Sequence, residues 1–107
     1  MAAKITRLPR EEFRAHGYRT LRAPLFVLKI KKNRFDVARI GVVAGINVHK
    51  SAVKRNFWKR QAKAGLAPLV KKGIDALIIV SPLAARTTKG KFQEEIAKAM
   101  AKAPIKA

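Results

Sequence analysis

The segment Lys50–Lys63, KSAVKRNFWKRQAK, places six cations and no acid in one short run, with Phe57 and Trp58 adjacent at its centre. No proline or glycine interrupts it before Gly65, so it reads as a helix stopping at that glycine. At about 100° per residue, Arg55, Lys59 and Lys63 share one stripe, with Asn56 and Arg60 beside it. Lys50 and Lys54 add charge at its start. Trp58 falls on the other side near Ala62, and the pattern predicts that it turns into a core. Phe57 points about 100° away; it either covers the core margin or stacks on a base. Like charges at i,i+4 cost a free helix roughly 0.2–0.5 kcal/mol per pair. Burying a large ring contributes about 1.5–3 kcal/mol and outweighs several such pairs. The remaining repulsion is relieved when phosphates arrive and their counterions leave.

The rest of the chain reinforces that reading. No acid occurs between Val37 and Ile74, and the 107 residues carry a net charge of +19. Such charge opposes compaction and calls for a polyanionic partner. Nucleic acid fits best; an acidic protein or a membrane surface are the weaker alternatives. Hydrophobic residues make up 49% of the chain, enough for one modest core rather than a disordered basic tail. The length fits a single domain, residues 1–107, with 1–8 and 104–107 expected to be loose. Cysteine is absent, which removes disulfides and thiolate metal sites. No apolar run approaches the roughly 20 residues of a membrane span, and MAAKITRLPREEF lacks a signal-like apolar stretch. A cytoplasmic location is expected.

LPREEFRAHGY predicts a short helix, with Pro9 in its first turn, Glu11 and Glu12 near its positive end, and Gly17 at its stop. YRTLRAP suggests a short strand closed by Pro24. In LFVLKIKKN, Phe26, Leu28 and Ile30 share one strand face. In RFDVARIGVVAGINV, Ala38, Ile40, Val42, Ala44, Ile46 and Val48 alternate onto one face. Gly41 and Gly45 on the other face mark a bulge, tight packing or a close approach by a ligand. IDALIIVSP is apolar on both faces except for Asp75 and reads as an interior strand. Thr87 or Thr88 caps a last helix whose stripe is Phe92, Ile96, Ala99, Met100 and Ala103. The order is helix, two or three strands, basic helix, strand, helix. The strand–helix–strand unit suggests parallel pairing there and antiparallel pairing elsewhere.

No protein-borne catalytic constellation is visible, so no catalytic or metal-ligating residue is assigned. His16 and His49 are far apart, Ser51 and Ser81 lack a matched base, and Asp36 and Asp75 are isolated acids. No phosphate-binding loop is present, since GVVAG lacks the lysine and the length. Other basic proteins remain in play: a ribosomal component, a metal-dependent nuclease acting through Asp36 or Asp75, or a helix-turn-helix DNA binder.

RIGVVAGINVHKSAVKRNFWKR resembles the core motif of the bacterial ribonuclease P protein subunit. Arg39, Ile40 and Gly41 match the start of its strand, and Ala52, Val53, Arg55, Asn56, Lys59 and Arg60 match its basic helix. Phe57 stands where the family has a second arginine, and INVHK replaces a loop with paired lysines. The resemblance implies an α+β fold, a two-layer sandwich like a known ribosomal-protein domain. Its four-stranded mixed sheet would carry three helices in the order α-β-β-β-α-β-α. It implies a non-catalytic protein subunit that binds a catalytic RNA and assists removal of the 5′ leader from precursor tRNA. Mg²⁺ would be held mainly by that RNA, and no small-molecule cofactor is implied. RNA contacts are expected from Lys50, Lys54, Arg55, Asn56, Lys59, Arg60 and Lys63. Phe13 and Lys29 are the candidates for a leader cleft between the sheet and the first helix.

Overall fold

The computed structural model describes residues 5–102. Within them one five-stranded sheet forms from β1 (Ile5–Arg7), β2 (Arg19–Arg22), β3 (Phe26–Lys32), β4 (Ala38–Val43) and β5 (Ile74–Val80), with two α-helices, α1 (Ala52–Leu66) and α2 (Lys89–Ala101). The strand order across the sheet is β1-β4-β5-β3-β2. β4 runs parallel to β5 and to β1, while β5–β3 and β3–β2 are antiparallel. The α+β class and the parallel β4–α1–β5 unit agree with the sequence reading. The count differs: five strands and two α-helices replace the expected four and three.

Both differences arise near the start of the chain. Arg10–Arg14 is a five-residue 3-10 segment with no buried residue, not an α-helix. It offers one large apolar side chain, Phe13, and so has no stripe to drive a longer helix onto the sheet. Gly17, at φ +93°, takes the left-handed conformation as the chain turns toward β2. Just before this segment, Ile5, Thr6 and Arg7 pair with Ala38, Arg39 and Ile40. Leu8 follows, fully buried, its N–H donating to the Ile40 carbonyl at 3.0 Å. Residues 5–8 thus pair with β4 and pack on the sheet; 1–4 and 104–107, also expected to be loose, lie outside the described residues, as does Ala103 of the α2 stripe.

The core lies between one sheet face and the two helices. Phe26, Leu28 and Ile30 of β3, Ala38 and Ile40 of β4, and Ile74, Ala76, Ile78 and Val80 of β5 face Trp58, Ala62 and Leu66 of α1 and Phe92 and Ile96 of α2. The Phe92 ring meets Trp58 and Phe26 edge-on, at 5.4 and 6.0 Å between centroids. Gly65 is not the helix stop. A Cβ there would lie 3.2 Å from Gln93 Cγ and 3.3 Å from Ile96 Cδ1, so the glycine lets α1 approach α2 closely. α1 continues to Leu66 and into a 3-10 turn at Ala67–Leu69. β4 is also shorter than its alternation suggests. It ends at Val43, and Ile46 is 72% exposed in the turn that follows.

Candidate nucleic-acid interface

Trp58 anchors α1 as expected, at 6% exposure, with Phe57 packed edge-on against it at 5.1 Å. Phe57 is half-buried against the core margin, the covering role rather than a free platform. With the apolar side of α1 used in this way, its cations face outward. Lys54, Asn56, Arg60 and Lys63 are exposed and Lys59 is half-exposed. No acid lies on this helix to neutralise them. α2 shows the contrast: Lys91 pairs with Glu95 at 3.1 Å and Lys98 with Glu94 at 3.3 Å. One helix balances its own charge and the other leaves it available.

Arg55 differs from its neighbours. Its Nη1 donates to the carbonyls of His49 (3.0 Å) and Lys50 (2.9 Å), so it fastens the loop before α1 to the helix. Ser51 caps that helix, accepting from the Lys54 N–H at 3.4 Å, while its own N–H donates to His49 Nδ1 at 3.0 Å. These contacts hold the exposed Lys50 beside the start of the basic helix. Ser51 ahead of the basic run is a preferred N-cap residue, a signal that sequence reasoning left unused.

Beyond α1, a groove of about 550 Å³ follows the edge of β4. β1 pairs with β4 only as far as Ile40, so Gly41–Val43 have no strand partner on that side among the described residues. Arg7 and Arg10 enter from the first segment, Lys59, Arg60 and Lys63 from α1, and Phe13 closes one wall. The lining thus holds five cations and no acid. The structure brings Phe13 together with Lys59, Arg60 and Lys63; Lys29, Lys50, Lys54, Arg55 and Asn56 do not line this groove. Arg7 and Arg10 were missed because they are far from α1 in sequence and meet it only through the β1–β4 pairing.

Gly41 owes its small size to Phe13. A Cβ there would lie 2.6 Å from Phe13 Cε1 and 3.2 Å from Leu77 Cδ1. The ring therefore rests on the glycine, on the sheet face turned away from the core. Of the alternatives for the Gly41 face, tight packing is the one observed, and the ring rather than a ligand makes the close approach. Lys29 occupies the same sheet face, in register with Leu77, which is in register with Gly41. One rung further, Lys31, Asp75 and Arg39 align across β3, β5 and β4. Asp75 is fully buried and held from two sides. Arg39 Nε and Nη2 donate to its two oxygens at 2.7 and 2.6 Å, and Asn33 Nδ2 donates at 2.7 Å. The hydrogen bond to Asp75 holds the Arg39 guanidinium still more firmly protonated than usual.

A sheet with a neutral core on one face and an acid-free cationic groove at its edge defines a small basic protein suited to a phosphate-bearing chain. A family model described as Ribonuclease P matches residues 9–104; the chain belongs to that family. A ribonuclease P protein component from Cyanothece sp. is 36% identical over 76 residues, covering 68% of this chain and 58% of that protein. The chain thus spans less than two-thirds of the length of this relative. Among solved structures, the ribonuclease P protein of Staphylococcus aureus superposes with a TM-score of 0.80 at 19% identity, covering 94% of this chain and 95% of that one. The Thermotoga maritima protein gives 0.75 at 21% identity, covering 94% and 98%. At these identities the likeness shows the fold alone.

Proposed function

We propose that this chain is the protein subunit of ribonuclease P, and that it helps an RNA partner remove the 5′ leader of precursor tRNA. The observation that carries this is the β4-edge groove, which connects the basic side of α1 to Phe13 in one acid-free surface. Family membership supplies the reaction; the groove supplies a path for RNA. In this reading the outer side of α1, with Lys54, Asn56, Lys59, Arg60 and Lys63, docks on ribonuclease P RNA, with Lys50 and Arg55 at its leading end. Arg can fork onto phosphate oxygens, Lys acts as a point charge, and Asn56 can reach a sugar or base edge. The single-stranded leader runs from the groove past Phe13 onto the sheet face that carries Lys29.

The chemistry is assigned to the RNA and its Mg²⁺. The acids of this chain do not gather into a cage: Glu12 pairs with Lys31, Asp75 with Arg39 and Glu94 with Lys98. Among the described residues no three metal-ligating side chains come together, and none is given a metal-binding role. The protein instead neutralises phosphate, so that the two RNAs pack at lower Mg²⁺. Among the described residues no helix is long and apolar enough to cross a membrane. The place of action that follows from the proposed tRNA-processing role is the cytoplasm.

Reconstitution with a bacterial ribonuclease P RNA and a precursor tRNA at low Mg²⁺ tests the reading. Leader cleavage is expected to rise when the protein is added. No gain in cleavage, together with no binding to that RNA, overturns it. In the same system Lys59→Ala or Arg60→Ala should weaken RNA binding and lower the salt dependence by about one charge each. Arg55→Ala should in addition loosen the loop that its guanidinium fastens.

A further inference from the structure

Phe35 lies outside the groove and outside the family motif, yet its position is closely specified. Phe35 is 55% exposed. Its inner face covers the Arg39 guanidinium, with the Arg39 Cζ 4.6 Å from the ring centroid. Arg39, itself partly exposed, is gripped by two short hydrogen bonds to the fully buried Asp75. The backbone is fixed as well: the Phe35 N–H donates to Asn33 Oδ1 at 2.8 Å, and Asn33 Nδ2 reaches both Asp75 and the Val37 carbonyl. A large apolar ring is thus held at the surface by a polar network rooted in the buried Asp75, with one face covered and the other open.

The surroundings indicate what the open face meets. Lys32 and Arg34 flank the ring, both exposed, and neither pairs with an acid among the described residues. Beside the ring is a shallow hollow of about 230 Å³. That is below the roughly 300–1,000 Å³ of a drug-sized pocket and on the scale of one flat heterocycle. The carboxylates facing the hollow, Glu12 and Asp75, are both already paired. Asp36, next in sequence, lies 3.9 Å from Lys72 with its carboxylate turned to solvent. An aromatic face backed by a guanidinium and bracketed by free cations is the arrangement that stacks an unpaired base while holding its phosphates.

We propose that the open face of Phe35, backed by Arg39, binds one unpaired RNA base, with Lys32 and Arg34 contacting the adjoining phosphates. This rests on the RNA-binding reading above and adds a site on the far side of the Arg39–Asp75 rung from Phe13.

The test measures binding of the full chain to a short single-stranded RNA of mixed sequence and to the matching duplex. The variants are Phe35→Ala, Phe35→Leu, Phe35→Trp and the double variant Lys59→Ala/Arg60→Ala. Phe35→Ala is expected to weaken single-strand binding about 5- to 150-fold, the range of one lost base stack. Its salt dependence should stay unchanged, because no charge is removed. Phe35→Trp should keep the affinity, and Phe35→Leu, which still covers Arg39 but offers no π-face, should lose it. Duplex binding should be indifferent to all three. If Phe35→Leu binds like the unaltered chain while Phe35→Ala does not, the ring only shields Arg39 and the proposal fails. If neither weakens binding while the double variant does, the proposal fails and the RNA-binding reading stands. If the unaltered chain binds neither RNA, the proposal fails, and the RNA-binding reading is decided by the reconstitution with ribonuclease P RNA. Thermal unfolding of each variant separates a lost stack from a lost fold: Phe35→Leu at the native midpoint with reduced affinity supports the proposal.

Discussion

Among the described residues Asp75 is the one charged side chain that is fully buried, and its cost is offset by three hydrogen bonds from Arg39 and Asn33. Removing one member of a fully buried pair typically costs about 3–5 kcal/mol. Because the Arg39 side chain keeps 13% of its exposure, the loss here should fall at or below the lower end of that range. Asp75→Ala should therefore lower the urea midpoint by a corresponding amount and disorder the Phe35 loop. Tyr18 offers a second test at this scale. Burial first, and then the nearby Asp75 and Glu12 carboxylates, push its phenol up from about 10 to about 12. The neutral form is favoured in the folded state, so this contribution to stability is intact below about pH 10. It is lost as pH rises from about 10 through about 12. Because Tyr18 is the only tyrosine, the tyrosinate absorbance of the native protein should titrate near pH 12 and return to about 10 on denaturation. A native midpoint near 10 would contradict the Tyr18 environment described above.

At the scale of elements, periodicity was informative where one face is buried and failed where tertiary contact decided. The inward turn of Trp58 followed from its angle to the cations, and the Phe26–Leu28–Ile30 face followed from alternation. Gly65 read as a stop because its purpose, contact with Gln93 and Ile96, depends on a helix about thirty residues away. Gly41 was ambiguous for the same reason, since only the fold brings Phe13 onto it. Gly41→Ala tests that seat. The added methyl clashes with a ring that can swing away, so a loss of about 1–3 kcal/mol is expected. The larger effect should be on RNA affinity, as Phe13 is displaced from the groove wall. The first segment misled for a different reason. Its caps and acids are those of a helix start, but five residues without an apolar stripe settle into a 3-10 turn. Within the candidate site, α1 was legible from local charge density, whereas Arg7 and Arg10 needed a strand pairing that no local pattern announces.

For the molecule as a whole, the position of β1 has a consequence for the order of assembly. It is the first strand in the chain, yet it pairs with β4 through only three residue pairs, Ile5 with Ala38 through Arg7 with Ile40. Such a pairing closes a long loop for little return, so it should form late and open early. Amides at Ile5–Leu8 are expected to exchange with deuterium far faster than those of β3 and β5. Any polyanion that spans Arg7, Arg10 and α1 must then slow that exchange, because it binds only when the strand is docked. β1 would act as a latch, closed by the polyanion it helps to hold.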